Sequence, residues 1–251
     1  CYLFIIDLLI LAWCLPIIDH QAAGPTTRGA DDTHSQGTRE GYKRMRQKLV
    51  VIGNGMAPGR ALECWFDAAP DACDVTIFNA EPRVNYDRVM LSPVLSGEKN
   101  FEEIVIHGDG WYIKHGVMLY KGVPVTHIDR AAKTVTGAGG ITAAYDKLII
   151  ATGSVPIIIP VPGHTLAGVL TYRDLDDVHA MLLAARAGGQ AVVIGGGLLG
   201  LEAAAGPREQ GMDVTILHLA PTLLNRQLDP TAGHLLRQEI EARGIRVITS
   251  A

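Results

Sequence analysis

Cysteine is scarce in this chain. Its 251 residues include four, Cys1, Cys14, Cys64 and Cys73, with no C-x-x-C pair and none beyond Cys73. That spacing excludes a disulfide framework or a zinc site, so no metal ligands are assigned. An excess of one charge is also missing. Lys and Arg number 22 against 26 Asp and Glu, a net charge of −4, and charged residues make up only 19% of the chain. No basic face is left for nucleic acid, so that class of partner is excluded. The 48% apolar content and 28 glycines fit a globular α/β protein with many tight turns.

The body of the chain has no apolar run long enough to cross a membrane, but the start does. Residues 1–18 are nearly unbroken apolar sequence, interrupted by Asp7 and Pro16. As a helix they would span ~27 Å. No basic segment precedes them, as a secretory signal requires, and Asp7 would sit at mid-depth of a bilayer. A polar, aperiodic stretch follows from Asp19 to Tyr42. Residues 1–44 are therefore expected to be either a membrane anchor with a linker or upstream sequence translated in frame, the second being preferred. Arg39, Lys43, Arg44, Arg46 and Lys48 follow the apolar run and would keep the body cytoplasmic in either case.

From Met45 onward the pattern alternates strands with helices. Leu49–Ile52 runs into Gly53-Asn54-Gly55-Met56, and Ala191–Ile194 runs into Gly195-Gly196-Gly197-Leu198-Leu199-Gly200. A short apolar strand, a glycine turn and a helix start form a cradle for pyrophosphate, because the backbone approaches closely and the helix N-terminus offers free N–H groups. In the first turn Pro58 takes the third glycine's place, and Gly59 is expected to restore close packing against the strand. The acid expected after the second strand of that unit is Glu81. In the second turn all three glycines are present, but the partner strand ends in His218, where a carboxylate would mark NAD. NADH and NADPH both stay open.

Between the turns, Lys147–Ile150 is a buried parallel strand that ends at Ala151-Thr152-Gly153. This is the second flavin signature of two-dinucleotide oxidoreductases. Small antiparallel strands are expected at 124–129, 134–136 and 141–143, helices at 174–187, 198–210 and 230–243, and a last strand at 245–249. The fold class is α/β, with two Rossmann-like dinucleotide-binding domains. FAD is assigned to residues 45–158 and NAD(P)H to 159–251, and the second domain is expected to be C-terminally truncated. A chain that stops there is expected to hold FAD weakly when isolated.

The body of the chain resembles the N-terminal flavin module of NAD(P)H-dependent nitrite reductase large subunits. The likeness is carried by Val51–Met56, Glu81–Arg88, Tyr145–Ser154, Gly195–Ala204 and Gln227-Leu228-Asp229. The resemblance implies hydride transfer from NAD(P)H to FAD. Electrons would then pass singly to iron–sulfur and sirohaem centres in a C-terminal part of the same protein, where nitrite becomes ammonia. It places Gly53, Asn54, Gly55 and Met56 on the FAD pyrophosphate and Glu81 on its ribose. Arg88 falls near the FAD phosphate or the flavin edge, and Ala151, Thr152 and Gly153 on the flavin side. Gly195, Gly197, Leu199 and Gly200 fall on NAD(P)H, with His218 at the ribose and Glu202 as the candidate catalytic group, within reach of the nicotinamide or the flavin. Related ferredoxin reductases read L-S-K where this chain has Leu91-Ser92-Pro93, so the lysine partner expected for Glu202 is missing. A stand-alone ferredoxin or rubredoxin reductase and a non-catalytic FAD-binding fragment are the alternatives. A thiol-dependent disulfide reductase is excluded for want of a cysteine at the flavin.

Overall fold

The computed structural model describes residues 2–5 and 46–251. The polar stretch and most of the apolar run lie outside the described residues. Strand β1 is Tyr2–Ile5. It is a parallel strand where the sequence suggests an anchor helix or unrelated leader. Among the described residues no helix is long and apolar enough to cross a membrane.

The first unit is β2 (Gln47–Ile52), α1 (Met56–Ala68) and β3 (Cys73–Asn79). Then come the two-residue strand β4 (Asn85–Tyr86), α2 (Leu91–Ser96), β5 (Val105–His107) and α3 (Asp109–Lys114). Strand β6 (Met118–Lys121) leads to a meander of β7 (Val125–Asp129), β8 (Thr134–Gly137) and β9 (Thr142–Ala144). Strand β10 (Lys147–Ile150) closes this part. The parallel sheet has the order β10-β2-β3-β6. It is covered on both faces, which is why β2 is apolar at successive positions rather than alternating. Leu49 and Val51 pack with Leu62, Phe66 and Tyr112 of the helices, while Val50 and Ile52 face Val135 and the meander.

The second unit begins with β11 (Val169–Leu170) and α4 (Leu175–Ala187). It continues through β12 (Gln190–Ile194), α5 (Leu198–Glu209), β13 (Asp213–His218), α6 (Pro230–Ala242) and β14 (Arg246–Thr249). Its parallel sheet has the order β11-β1-β12-β13-β14. Helix starts follow local chemistry. Asp174 accepts from the backbone N–H groups of Asp176 and Asp177 in a capping box, and Asp229 accepts from Ala232 N–H ahead of Pro230.

Helix α2 leaves the first sheet and docks on the second. Leu91, Val94 and Leu95 share one core with Met181, Val193 and Ile216. The contact is close because Gly206 lacks a side chain: a Cβ there would meet Leu95 Cδ2 at 2.8 Å. This seam brings Ser92 to Glu202.

Candidate functional site

In the first turn Gly53 N–H donates to Phe78 O at 2.8 Å, with φ at +103°. A Cβ at Gly53 would lie within 2.8 Å of the Ala151 carbonyl carbon, so neither the conformation nor the space admits another residue. Gly55 is an extended N-cap with no side-chain cap, and the first helical bond runs from Gly59 N–H to Gly55 O at 3.1 Å. The missing N–H of Pro58 therefore costs no helical bond, and the N–H groups at the helix start stay available to an anion. Nothing would lie within 4 Å of a Cβ on Gly55, so the turn is open on its outer side. Gly59 does not pack on the strand as expected: its missing side chain makes room for Asn85 and His107.

A cleft of about 240 Å³ opens at the carboxyl ends of β2, β3 and β10. In an open α/β sheet this is where ligands bind, at the point where strand order reverses. It collects the expected Gly53, Asn54, Gly55, Glu81, Arg88, Ala151, Thr152 and Gly153, and adds Asn79, Ser154 and Arg173. Met56 opens α1 beside the cleft without lining it.

Two carboxylate oxygens organise one end of the cleft. Glu81 Oε2 accepts from the Tyr86 hydroxyl at 2.8 Å, and Oε1 accepts from the Arg88 guanidinium. Arg88 also donates to Arg173 O at 3.2 Å. Burial pushes the Tyr86 phenol above its usual range, so it stays a neutral donor. Arg173 in turn donates from Nε to Ser154 O at 3.3 Å. Its own N–H is held by Asp177, which belongs to the capping box of α4. Arg173 carries no motif signal in the sequence; only the packing of α4 brings it here.

A second network braces the turn from behind. The Asn54 side chain donates to the Tyr112 hydroxyl at 3.0 Å, Asn85 N–H donates to the same oxygen at 3.3 Å, and Asn85 Nδ2 donates to Gly55 O at 2.7 Å. Asn54, Asn85 and Tyr112 are all buried. Asn85 lies inside the Glu81–Arg88 motif, whereas Tyr112 gives no sign in the sequence of its role.

The second turn repeats the first. Gly195 N–H donates to Leu217 O at 2.8 Å, Gly197 is an uncapped extended N-cap, and Leu201 N–H donates to Gly197 O at 3.0 Å. Leu199 packs on the hydrophobic core. Glu202 accepts from the Ser92 hydroxyl at 2.6 Å, and Ser92 Oγ is 2.9 Å from the Tyr172 hydroxyl. Because the single Ser92 proton goes to Glu202, Tyr172 donates to Ser92. Burial raises the Tyr172 phenol to about 12, and the Glu202 charge adds to that effect. A serine hydroxyl thus takes the place of the lysine that Pro93 removes. His218 turns its ring onto the glycine turn, where Nδ1 accepts from Gly196 N–H at 3.0 Å. Among the described residues no group of three or more His, Cys, Asp and Glu could hold a metal ion. Cys64 lies on α1 and Cys73 at the foot of β3, and neither lines the cleft.

Two equivalent strand–turn–helix units on parallel sheets, one opening a cleft at its strand ends, define a two-dinucleotide oxidoreductase module. The match to known families covers residues 47–251 and is to pyridine nucleotide-disulphide oxidoreductases. The chain belongs to that family, whose members are flavin-dependent NAD(P)H oxidoreductases with FAD and NAD(P)H as cofactors. It is 46% identical over 200 residues to the NAD(P)H nitrite reductase of Bacillus subtilis (strain 168), covering 80% of this chain and 25% of that one. It is 41% identical to the NADH nitrite reductase large subunit of Escherichia coli (strain K12), covering 81% of this chain and 24% of the relative. The NADH:rubredoxin oxidoreductase of Clostridium acetobutylicum superposes with a TM-score of 0.73 at 29% identity, over 82% of this chain and 53% of that one. The chain thus spans about a quarter of the length of these nitrite reductases.

Proposed function

We propose that this chain is the electron-input module of a cytoplasmic assimilatory nitrite reductase. Residues 45–158 hold FAD and 159–251 hold NAD(P)H. The observation that carries the reading is the doubled turn: Gly53 and Gly195 each donate to the carbonyl at the end of the next strand, and each precedes a helix whose first N–H groups have no side-chain cap. FAD held by Gly53, Gly55 and the start of α1 would supply hydride acceptance from NAD(P)H and one-electron release.

The chain's own residues bind, orient and shield. Gly53, Asn54, Gly55 and the start of α1 at Met56 hold the FAD pyrophosphate, with the Asn54–Tyr112–Asn85 brace fixing the turn. Glu81 takes the ribose hydroxyls on the lone pairs that Tyr86 and Arg88 leave free. Arg88 and Arg173 lend positive charge to the same cleft. Ala151, Thr152 and Gly153 flank the flavin side. Gly195, Gly197 and Gly200 receive the NAD(P)H pyrophosphate, Leu199 supports that helix start, and Glu202, held by Ser92, is the candidate group for the nicotinamide or the flavin. The downstream partners are iron–sulfur and sirohaem domains of the same, longer protein; the two nitrite reductases above are about four times the length of the matched segment.

The test is made on the longer protein. Nitrite-dependent oxidation of NAD(P)H with ammonium as product supports the reading. Reduction of a ferredoxin or rubredoxin with no response to nitrite replaces it with the simple reductase, the reading favoured by the rubredoxin oxidoreductase likeness.

A further inference from the structure

Three residues far apart in the chain meet where α2 packs on α5. Ser92 Oγ donates to Glu202 Oε2 at 2.6 Å and lies 2.9 Å from the Tyr172 hydroxyl. A carboxylate can only accept, so the single serine proton points to Glu202 and the phenol supplies the second bond. Tyr172 is 5% exposed, and burial holds its phenol protonated. Donation therefore runs in one direction, from Tyr172 to Ser92 to Glu202.

The surroundings of this chain of hydroxyls give it a use. Ser92 follows the cleft residue Arg88 by four positions, and Tyr172 immediately precedes Arg173, which also lines the cleft. Glu202 lies one turn beyond the start of α5, which closes the second glycine turn. The three side chains thus join the cleft of the first unit to the turn of the second.

No cation offsets the Glu202 charge at this junction. Pro93 stands where related reductases carry a lysine, and among the described residues no Lys, Arg or His pairs with the Glu202 carboxylate. The two neighbouring arginines are turned elsewhere: Arg88 to Glu81 and Arg173 O, Arg173 to Ser154 O. Ser92 and Tyr172 contribute dipoles but no net charge. Hydride donation takes a proton and two electrons from a neutral dihydronicotinamide ring to the flavin and leaves the ring with one positive charge. The second proton of flavin reduction comes from solvent. A carboxylate already fixed in place stabilises the ring's positive charge as it develops.

We propose that Ser92 and Tyr172 are positioning residues, whose hydrogen bonds aim an uncompensated Glu202 carboxylate at the nicotinamide, so that the site favours the cationic, oxidised ring over the neutral, reduced one. This rests on reading the second turn as the NAD(P)H site.

The test is calorimetric titration of the full chain with NAD⁺ and NADH, and with NADP⁺ and NADPH, read as the ratio of oxidised to reduced affinity. Glu202→Gln keeps the shape, removes the charge and is expected to lower the ratio roughly tenfold. Ser92→Ala frees the carboxylate and lowers it roughly threefold or more, with Tyr172→Phe lowering it by a smaller factor. Ser92→Thr, which restores the hydroxyl, returns the wild-type ratio. Pro93→Lys, which supplies a cation, lowers it as Glu202→Gln does and serves where Ser92→Ala does not fold. A wild-type ratio in Glu202→Gln, in Pro93→Lys or in folded Ser92→Ala overturns the proposal, the last showing a serine that only braces the packing of the two helices. If the wild-type chain folds normally and binds none of the four nucleotides, the NAD(P)H reading itself has failed and takes the proposal with it.

Discussion

Replacing Gly200 by alanine puts one methyl group where α5 passes over the second turn. Its Cβ would lie 2.8 Å from the Gly195 carbonyl carbon and closer still to the oxygen. Ordinary carbon–carbon contact needs ~3.5–4.0 Å, so helix and turn must separate by about 1 Å. The turn has little freedom to yield, because Gly195 sits at φ +120° and its N–H is bonded to Leu217 O at 2.8 Å. The displacement therefore falls on the helix start, carrying its free N–H groups away from a bound pyrophosphate. Overpacking of this kind costs about 1–3 kcal/mol of stability. Loss of one charge-assisted hydrogen bond adds about 1.5–3 kcal/mol to the binding cost, roughly 10- to 150-fold in affinity. The assay is thermal unfolding alongside NADH titration, with FAD titration as the internal control. The expected result is a lower midpoint, weakened NADH binding and unaltered FAD binding. Wild-type NADH affinity in Gly200→Ala would refute the reasoning, as would equal losses for the two cofactors.

Glu81→Ala leaves the half-buried Arg88 guanidinium and the buried Tyr86 hydroxyl without their shared acceptor. It is expected to cost about 1–3 kcal/mol in thermal unfolding and to weaken FAD binding while sparing NADH; unchanged unfolding and flavin titration would count against the cleft's assignment. Tyr172 sets part of the alkaline limit. Its phenol ionises near 10.0 in the unfolded chain but near 12 when folded, so its stabilisation is complete below pH 10 and is lost as pH rises through that window. Tyr172→Phe should flatten the alkaline limb of a urea-midpoint profile by up to about 2–3 kcal/mol, leaving the limb that Tyr86 and Tyr112 share; a profile as steep as wild type would show the phenol is not held neutral.

What could be read in the sequence was what local rules dictate. The two turns, the apolar strands around them and helices α4, α5 and α6 follow from glycine spacing, periodicity and caps within a few residues of each other. The strand pair β4–β5 and strand β11 carry too few residues to show a period. The Asn54–Tyr112–Asn85 brace joins residues up to 58 apart in the chain, and Ser92 meets Glu202 across 110. No pattern within either segment specifies the other. Pro93 did signal that Glu202 lacks a lysine, but the serine that replaces it became visible only when α2 packed against α5 at Gly206. His218 was legible as an odd residue at a strand end. That its ring faces the turn depends on Gly196 and Leu223, which the fold brings against it.

If one body holds both dinucleotides, electrons pass within it from NAD(P)H to FAD. Anaerobic mixing of the FAD-loaded protein with NADH or NADPH tests it most directly, read by the flavin's visible absorption. Bleaching is expected with the coenzyme the chain binds, abolished in Gly200→Ala at coenzyme concentrations that suffice for wild type. Flavin that stays oxidised while both nucleotides are demonstrably bound would contradict it.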